Sequence, residues 1–132
     1  MAVGWLGTIS DAWLGGYKKM FSYTGRSRRR DYGFYMLIQL ILFIAIMMLA
    51  IVVGKATGNV DHPVTLTLVC VHMFFWFLGT LAYNVRRCHD AGASGWWCLL
   101  YLGFGAFVIG GLLVVPPSLG DNRYGPNPRT ID

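Results

Sequence analysis

The chain has 132 residues and a mass of 14.7 kDa, about one domain's length. Hydrophobic residues make up 55% and charged residues 13%, against ~25% charged in soluble proteins, and the mean hydropathy is +0.51. That composition excludes a soluble domain of this size, which needs more polar surface, and the 15% aromatic content excludes disorder. The net charge of +5 does not point to nucleic acid, because the cations cluster beside apolar runs, where orientation and lipid headgroups account for them.

In chain order, Leu6, Ile9, Trp13, Tyr17 and Met20 recur at steps of three or four, the face of an amphipathic helix broken at Gly15-Gly16. Residues 1–22 are therefore expected to lie along the membrane surface, followed by a basic joint from Lys18 to Arg30. The order is wrong for a signal peptide, whose positive charge comes first.

Three segments then lack Asp, Glu, Lys and Arg: 32–53, 64–83 and 96–115. Each is about 20 residues, enough to cross ~30 Å of hydrocarbon as a helix, the one open-chain conformation that satisfies its own backbone there. The expectation is an all-α integral membrane protein with three transmembrane helices over residues 23–117, preceded by the interfacial helix and followed by a tail at 118–132. Asp31, then Asp61 and Pro63, then Asp90 and Ser94 suit helix starts. Gly54 and Gly58 mark the first exit, and Pro116-Pro117 stops the third helix. Tyr32, Tyr35, Trp96 and Trp97 fall at span ends as interfacial anchors.

Lys18, Lys19, Arg26, Arg28, Arg29, Arg30, Arg86 and Arg87 lie on one side of this arrangement, and Lys55, Arg123 and Arg129 on the other. Cationic loops stay cytoplasmic, so the N-terminus is expected inside and the C-terminus in the periplasm of a bacterial inner membrane. Ala50-xxx-Gly54 and Ala106-xxx-Gly110 are small-residue pairs on helices that run parallel in this topology.

The densest polar segment, Asn84 to Trp97, reads NVRRCHDAGASGWW. Arg86 and Arg87 in a short surface loop could hold a phosphate, whereas the plainer reading makes them orientation charges with Asp90 as a cap or ion-pair partner. Gly92 and Gly95 suit a tight reversal. Gly92-Ala93-Ser94-Gly95 also matches the GxSG pattern of intramembrane serine proteases, but Ser94 has no base placed beside it and reads as an N-cap. Within the spans, Gln39 and His72 either line a polar path with Thr65, Thr67 and Thr80 or bridge helices. Cys70, Cys88 and Cys98 have no CxxC spacing, so neither a disulfide framework nor a metal site is expected, and no cofactor.

Three ordered motifs resemble the domain-of-unknown-function 805 family of small bacterial inner-membrane proteins. The first is Phe21, Gly25-Arg26, Arg29-Arg30 and Asp31-Tyr32. The second is Arg86-Arg87-Cys88-His89-Asp90 with Gly92 and Ser94-Gly95-Trp96-Trp97. The third is Gly120-Asp121-Asn122-Arg123-Tyr124-Gly125-Pro126-Asn127-Pro128. Gly33 departs from the family pattern, which usually has Trp there. The resemblance implies fold and location and no assigned activity.

The reading that follows is a non-catalytic membrane protein that acts by lateral contact as an accessory, regulatory or protective subunit. Its partners are anionic lipid headgroups and another membrane protein or a second copy of itself, not nucleic acid. Arg26, Arg29, Arg30, Arg86, Arg87, His89, Asp90, Ser94, Trp96 and Trp97 are the candidate contact residues, with Asn122, Arg123 and Tyr124 as a tail motif. The alternative is a homo-oligomeric channel or transporter for a small solute lined by Gln39 and His72, and an enzyme using His89 and Asp90 ranks last.

Overall fold

The computed structural model describes residues 2–59 and 62–129, with side chains from Ile9 onward. All the regular elements are helical: α1 (Ala2–Lys18), α2 (Arg29–Thr57), α3 (Pro63–Asp90), a short 3-10 helix (Gly95–Leu100) and α4 (Tyr101–Val114). Three helical stretches, Arg29–Thr57, Pro63–Asp90 and Gly95–Val114, are long and apolar enough to cross a membrane, as the composition requires.

The punctuation is largely where the residue chemistry puts it. Gly58, at φ +68°, closes α2 in the left-handed conformation that costs glycine nothing. Pro63 sits in the first turn of α3, where its missing N–H is no loss, while Asp61 lies outside the described residues. Ser94 caps the 3-10 helix by accepting from Trp96 N. Gly92, at φ +77°, makes the reversal after α3.

Gly15 and Gly16 do not break α1, which runs on to Lys18. Gly16 instead lets α1 cross closely over α2 and α3, because a Cβ there would overlap the Tyr35 ring. Tyr17 donates to Gln39 and Tyr83 donates to Ala12 O at 2.7 Å, so α1 is pinned to both long helices. The side chain of Leu6 lies outside the description; Trp13 packs against the core.

Tyr32 and Tyr35 are not interfacial anchors. Both are fully buried and form the core with Tyr83, Cys88 and Leu112. Their hydroxyls are satisfied inside it, Tyr32 donating to Asn84 Oδ1 at 2.7 Å and Tyr35 accepting from Gln39. Trp96 and Trp97, by contrast, are 78% and 62% exposed.

The path of the third apolar stretch separates the structure from the sequence reading. It starts beside the C-terminal turn of α3, where a Cβ on Gly95 would lie 2.8 Å from Val85 Cγ1. It descends to Tyr101, whose ring stacks on Phe77, more than three helical turns (~20 Å) from Asp90. Non-helical angles at Phe104 (φ −129°, ψ 38°) then turn the chain. Val108 and Ile109 pack back on the tyrosine core, Leu113 reaches Gly33 near the start of α2, and Leu112 O meets Arg87.

The stretch therefore begins and ends at the same end of the α2–α3 hairpin. The tail emerges beside the basic joint, where Arg26 donates to Gly120 O and Arg28 to Pro128 O. One expectation is corrected by this path: α4 runs antiparallel to α2, so Ala50-xxx-Gly54 and Ala106-xxx-Gly110 do not pair in parallel; Gly110 has open space where a Cβ would stand.

Candidate functional site

Every residue from Ala82 to Asp90 is buried, so the last turns of α3 are covered on all sides. Arg86, Arg87, His89 and Asp90 consequently sit inside a polar head and not in a surface loop. The joint covers one flank, the 3-10 helix and α4 another, and the tail closes the top.

Asp90 is the centre of the head. Its Oδ1 accepts from Arg26 Nε at 3.0 Å and lies 3.0 Å from Arg26 Nη2; its Oδ2 pairs with Arg87 and lies 3.5 Å from Arg129 Nη2. One carboxylate thus faces three guanidiniums brought from three separate segments. Desolvating it is tolerable only because both oxygens are saturated by charge-assisted contacts.

Arg87 uses all its N–H groups. Besides Asp90 it donates to Ser27 O at 3.3 Å, to Leu112 O at 3.1 and 2.8 Å and to Val115 O at 3.1 Å. Leu112 is in the last turn of α4, whose carbonyls have no intrahelical partners, so Arg87 serves as the C-terminal cap that the sequence of α4 lacks.

The tail completes the clasp. Arg26 donates to Gly120 O at 2.7 Å and Ser118 O at 3.2 Å, and Arg28 donates to Pro128 O. Asn122 Nδ2 donates to His89 O at 2.9 Å, while Asn122 and Gly125 close a small turn through paired backbone bonds of 3.2 and 2.9 Å. Tyr124 lies on the His89 ring at 3.8 Å between centroids, nearly parallel, and Arg123 stacks on Tyr124 rather than pairing with Asp121. His89 Nδ1 stands 3.2 Å from Gly25 O, which keeps a proton on that nitrogen.

Arg86 is bound differently. Nε donates to Ser27 Oγ at 3.0 Å, and Nη1 donates to Lys19 O at 2.7 Å and Ser22 O at 2.8 Å. Its guanidinium carbon lies 4.6 Å from the Tyr83 ring centroid. Nη2 is buried without a hydrogen-bond partner. Arg86 borders a cleft of about 720 Å³ between α1 and the joint, whose charged lining is Lys19, Arg26, Arg28, Arg30 and Arg86 with Asp11 and Asp31. A second cleft, about 460 Å³, is bordered by Arg28, Arg29, Arg30 and Arg129 with Pro117. Arg30 lies 3.9 Å from Asp31.

Gln39 and His72 are not brought together. Gln39 belongs to the Tyr17–Tyr35 network, and the His72 ring packs between Phe43 and Trp76. Thr65 and Thr67 donate back to carbonyls at the start of their own helix. The polar path that a pore would need is not assembled within the described residues of this chain.

Ser27, Ser118, Arg28 and Arg129 complete the head but carry no motif of their own. For the two arginines the one signal in the sequence is the excess of cations flanking the spans; the two serines have none.

These features define the class: a helical membrane protein whose polar groups are gathered at one end of a bare apolar hairpin. The profile of a protein family of unknown function, DUF805, matches residues 20–126. The chain is 29% identical over 125 residues to inner membrane protein YhaH of Escherichia coli (strain K12), covering 90% of this chain and 97% of that one. It is 30% identical over 114 residues to inner membrane protein YhaI of the same strain, covering 85% and 90%. No solved structure matches. The chain belongs to the DUF805 family and is an inner-membrane protein with transmembrane helices.

Proposed function

We propose that the protein is a non-catalytic inner-membrane component that acts by lateral contact with membrane partners or lipids. The observation that carries this is the nakedness of its apolar surface: in the most apolar stretch of α2 only 6% of the residues are buried within the chain. Lipid chains or another protein must cover the rest.

The groups of the central motif that could do chemistry support the same reading, since they are committed to holding the head together. Ser94 caps a helix, His89 is clamped between Gly25 O and Tyr124, and Asp90 is enclosed by arginines. None has the nucleophile–base geometry of a hydrolytic site.

The head faces the cytoplasm in this proposal. Of the 11 Lys and Arg residues, Lys55 stands alone at the far end of the hairpin, with the others in α3's last turns, the joint and the tail. Residues 95–114 then dip into the bilayer and return to the face they left, and the joint and tail share one side.

In-membrane crosslinking of a tagged copy at native expression, followed by mild purification and mass analysis, tests the proposal. A defined foreign protein, a second copy or a retained lipid at fixed stoichiometry is the expected result. Recovery of bare monomer alone contradicts it.

A further inference from the structure

A buried guanidinium normally meets a carboxylate, because an uncompensated charge away from water is costly. Arg87 obeys this through Asp90. Arg86, its neighbour, does not: it is 3% exposed, and its partners are a hydroxyl, two carbonyls and the face of Tyr83. No carboxylate within ion-pair distance of it occurs among the described residues, and the donors on Nη2 have no acceptor. An arginine has no lone pair to accept with, so only an acceptor, best an anionic one, completes this group.

The space for one is present. Arg86 borders the 720 Å³ cleft under α1, a volume within the usual range for small-ligand sites. The cleft wall carries five cations against two carboxylates; Arg26 is held by Asp90 and Arg30 lies beside Asp31, so the wall keeps an excess of positive charge. Asp11 is exposed at the α1 side. Lys19 offers an ammonium whose backbone carbonyl is already bound to Arg86, so the two cations are held together. Ser22, Thr24 and Ser27 add hydroxyls to the wall.

We infer that this cleft binds a phosphate-bearing anion, with the free edge of Arg86 as its deepest contact and Lys19 as its outer one. Planar guanidinium and mobile ammonium together suit tetrahedral phosphate oxygens. The shared chemistry is a phosphate group with an unblocked negative oxygen, carried by an anionic lipid headgroup or by a soluble anion. The inference rests on the lateral-contact reading for its lipid source alone. The test uses the purified chain, so the absence of a protein partner from the membrane leaves it standing.

The full-length protein in nanodiscs of digalactosyldiacylglycerol, a neutral lipid without phosphate, is titrated with inorganic phosphate, with chloride at equal ionic strength as control, and its melting temperature is followed. A parallel set replaces part of the lipid with phosphatidylglycerol. Stabilisation by phosphatidylglycerol and not by inorganic phosphate supports the site with a lipid as occupant; the reverse supports it with a soluble anion.

Because Arg86→Gln also disturbs the joint, the deciding variants are Lys19→Gln and Lys19→Ala on the cleft wall. Each should weaken the response at least tenfold in ligand concentration while leaving the unliganded melting temperature near that of the parent. Stabilisation by chloride equal to that by phosphate, no response to either phosphate source, or variants that respond like the parent overturns the inference.

Discussion

Asp90 and Arg87 show how tightly the head is coupled at the level of single atoms. Replacing Asp90 by Asn keeps the shape but leaves Arg26 and Arg87 buried with no anion between them. Removing one partner of a buried pair costs about 3–5 kcal/mol, so Asp90→Asn should lower the midpoint of denaturant unfolding in detergent by a margin of that order. Arg129→Gln should be mild, ~0–1 kcal/mol, since Arg129 is more than a third exposed and stands 3.5 Å away. Equal losses from both variants would show that Asp90 is not the shared counter-charge.

The sequence places Arg86, Arg87, His89 and Asp90 together without telling which are buried. Counting Lys and Arg gives sidedness, but a neutralised arginine and a free one count alike. Burial follows from the tail returning over the head, through contacts such as Arg26 to Gly120, 94 residues apart, that no local pattern carries.

At the scale of elements, two glycines let the helices approach around Tyr35. A Cβ on Gly16 or Gly79 would overlap that side chain, which Gln39 holds in place, whereas a Cβ on Gly15 would meet Tyr83 Oη at a comfortable 3.8 Å. Gly79→Ala should therefore destabilise by about 1–3 kcal/mol, and Gly15→Ala should leave the unfolding midpoint near the parent's or raise it. A neutral Gly79→Ala would mean that α2 and α3 are not packed through Tyr35.

In the sequence Gly15 and Gly16 look like a break in an amphipathic helix, because propensity registers the cost of a glycine and not the contact that Gly16 permits. The third apolar stretch is ambiguous for a related reason. Length and hydropathy measure whether a segment can cross, and a 3-10 segment going in with an α-helix coming out has the same 20 apolar residues as one straight helix. What reverses it is the cluster of Tyr32, Tyr35, Tyr83 and Arg87, which receives α4 from below and caps its carbonyls.

For the molecule as a whole, the consequence is a polar cap fastened from both ends of the chain onto an α2–α3 hairpin. Deleting residues 118–132 removes acceptors from Arg26 and Arg28 and the stacking partner of His89. Limited trypsin digestion of the truncated protein should then cut within residues 26–30 much faster than in the full chain, and unchanged protection would show that the tail does not fasten the joint.

The most direct measurement is accessibility of single cysteines to a membrane-impermeant maleimide, in a background with Cys70, Cys88 and Cys98 replaced by Ala. Thr24→Cys reports on the joint, Leu119→Cys, at a position 97% exposed, on the tail, and Asn59→Cys on the far end between α2 and α3. The account predicts that positions 24 and 119 label together in inside-out vesicles while position 59 labels in right-side-out ones. Labelling of position 119 together with position 59, opposite to position 24, would contradict it.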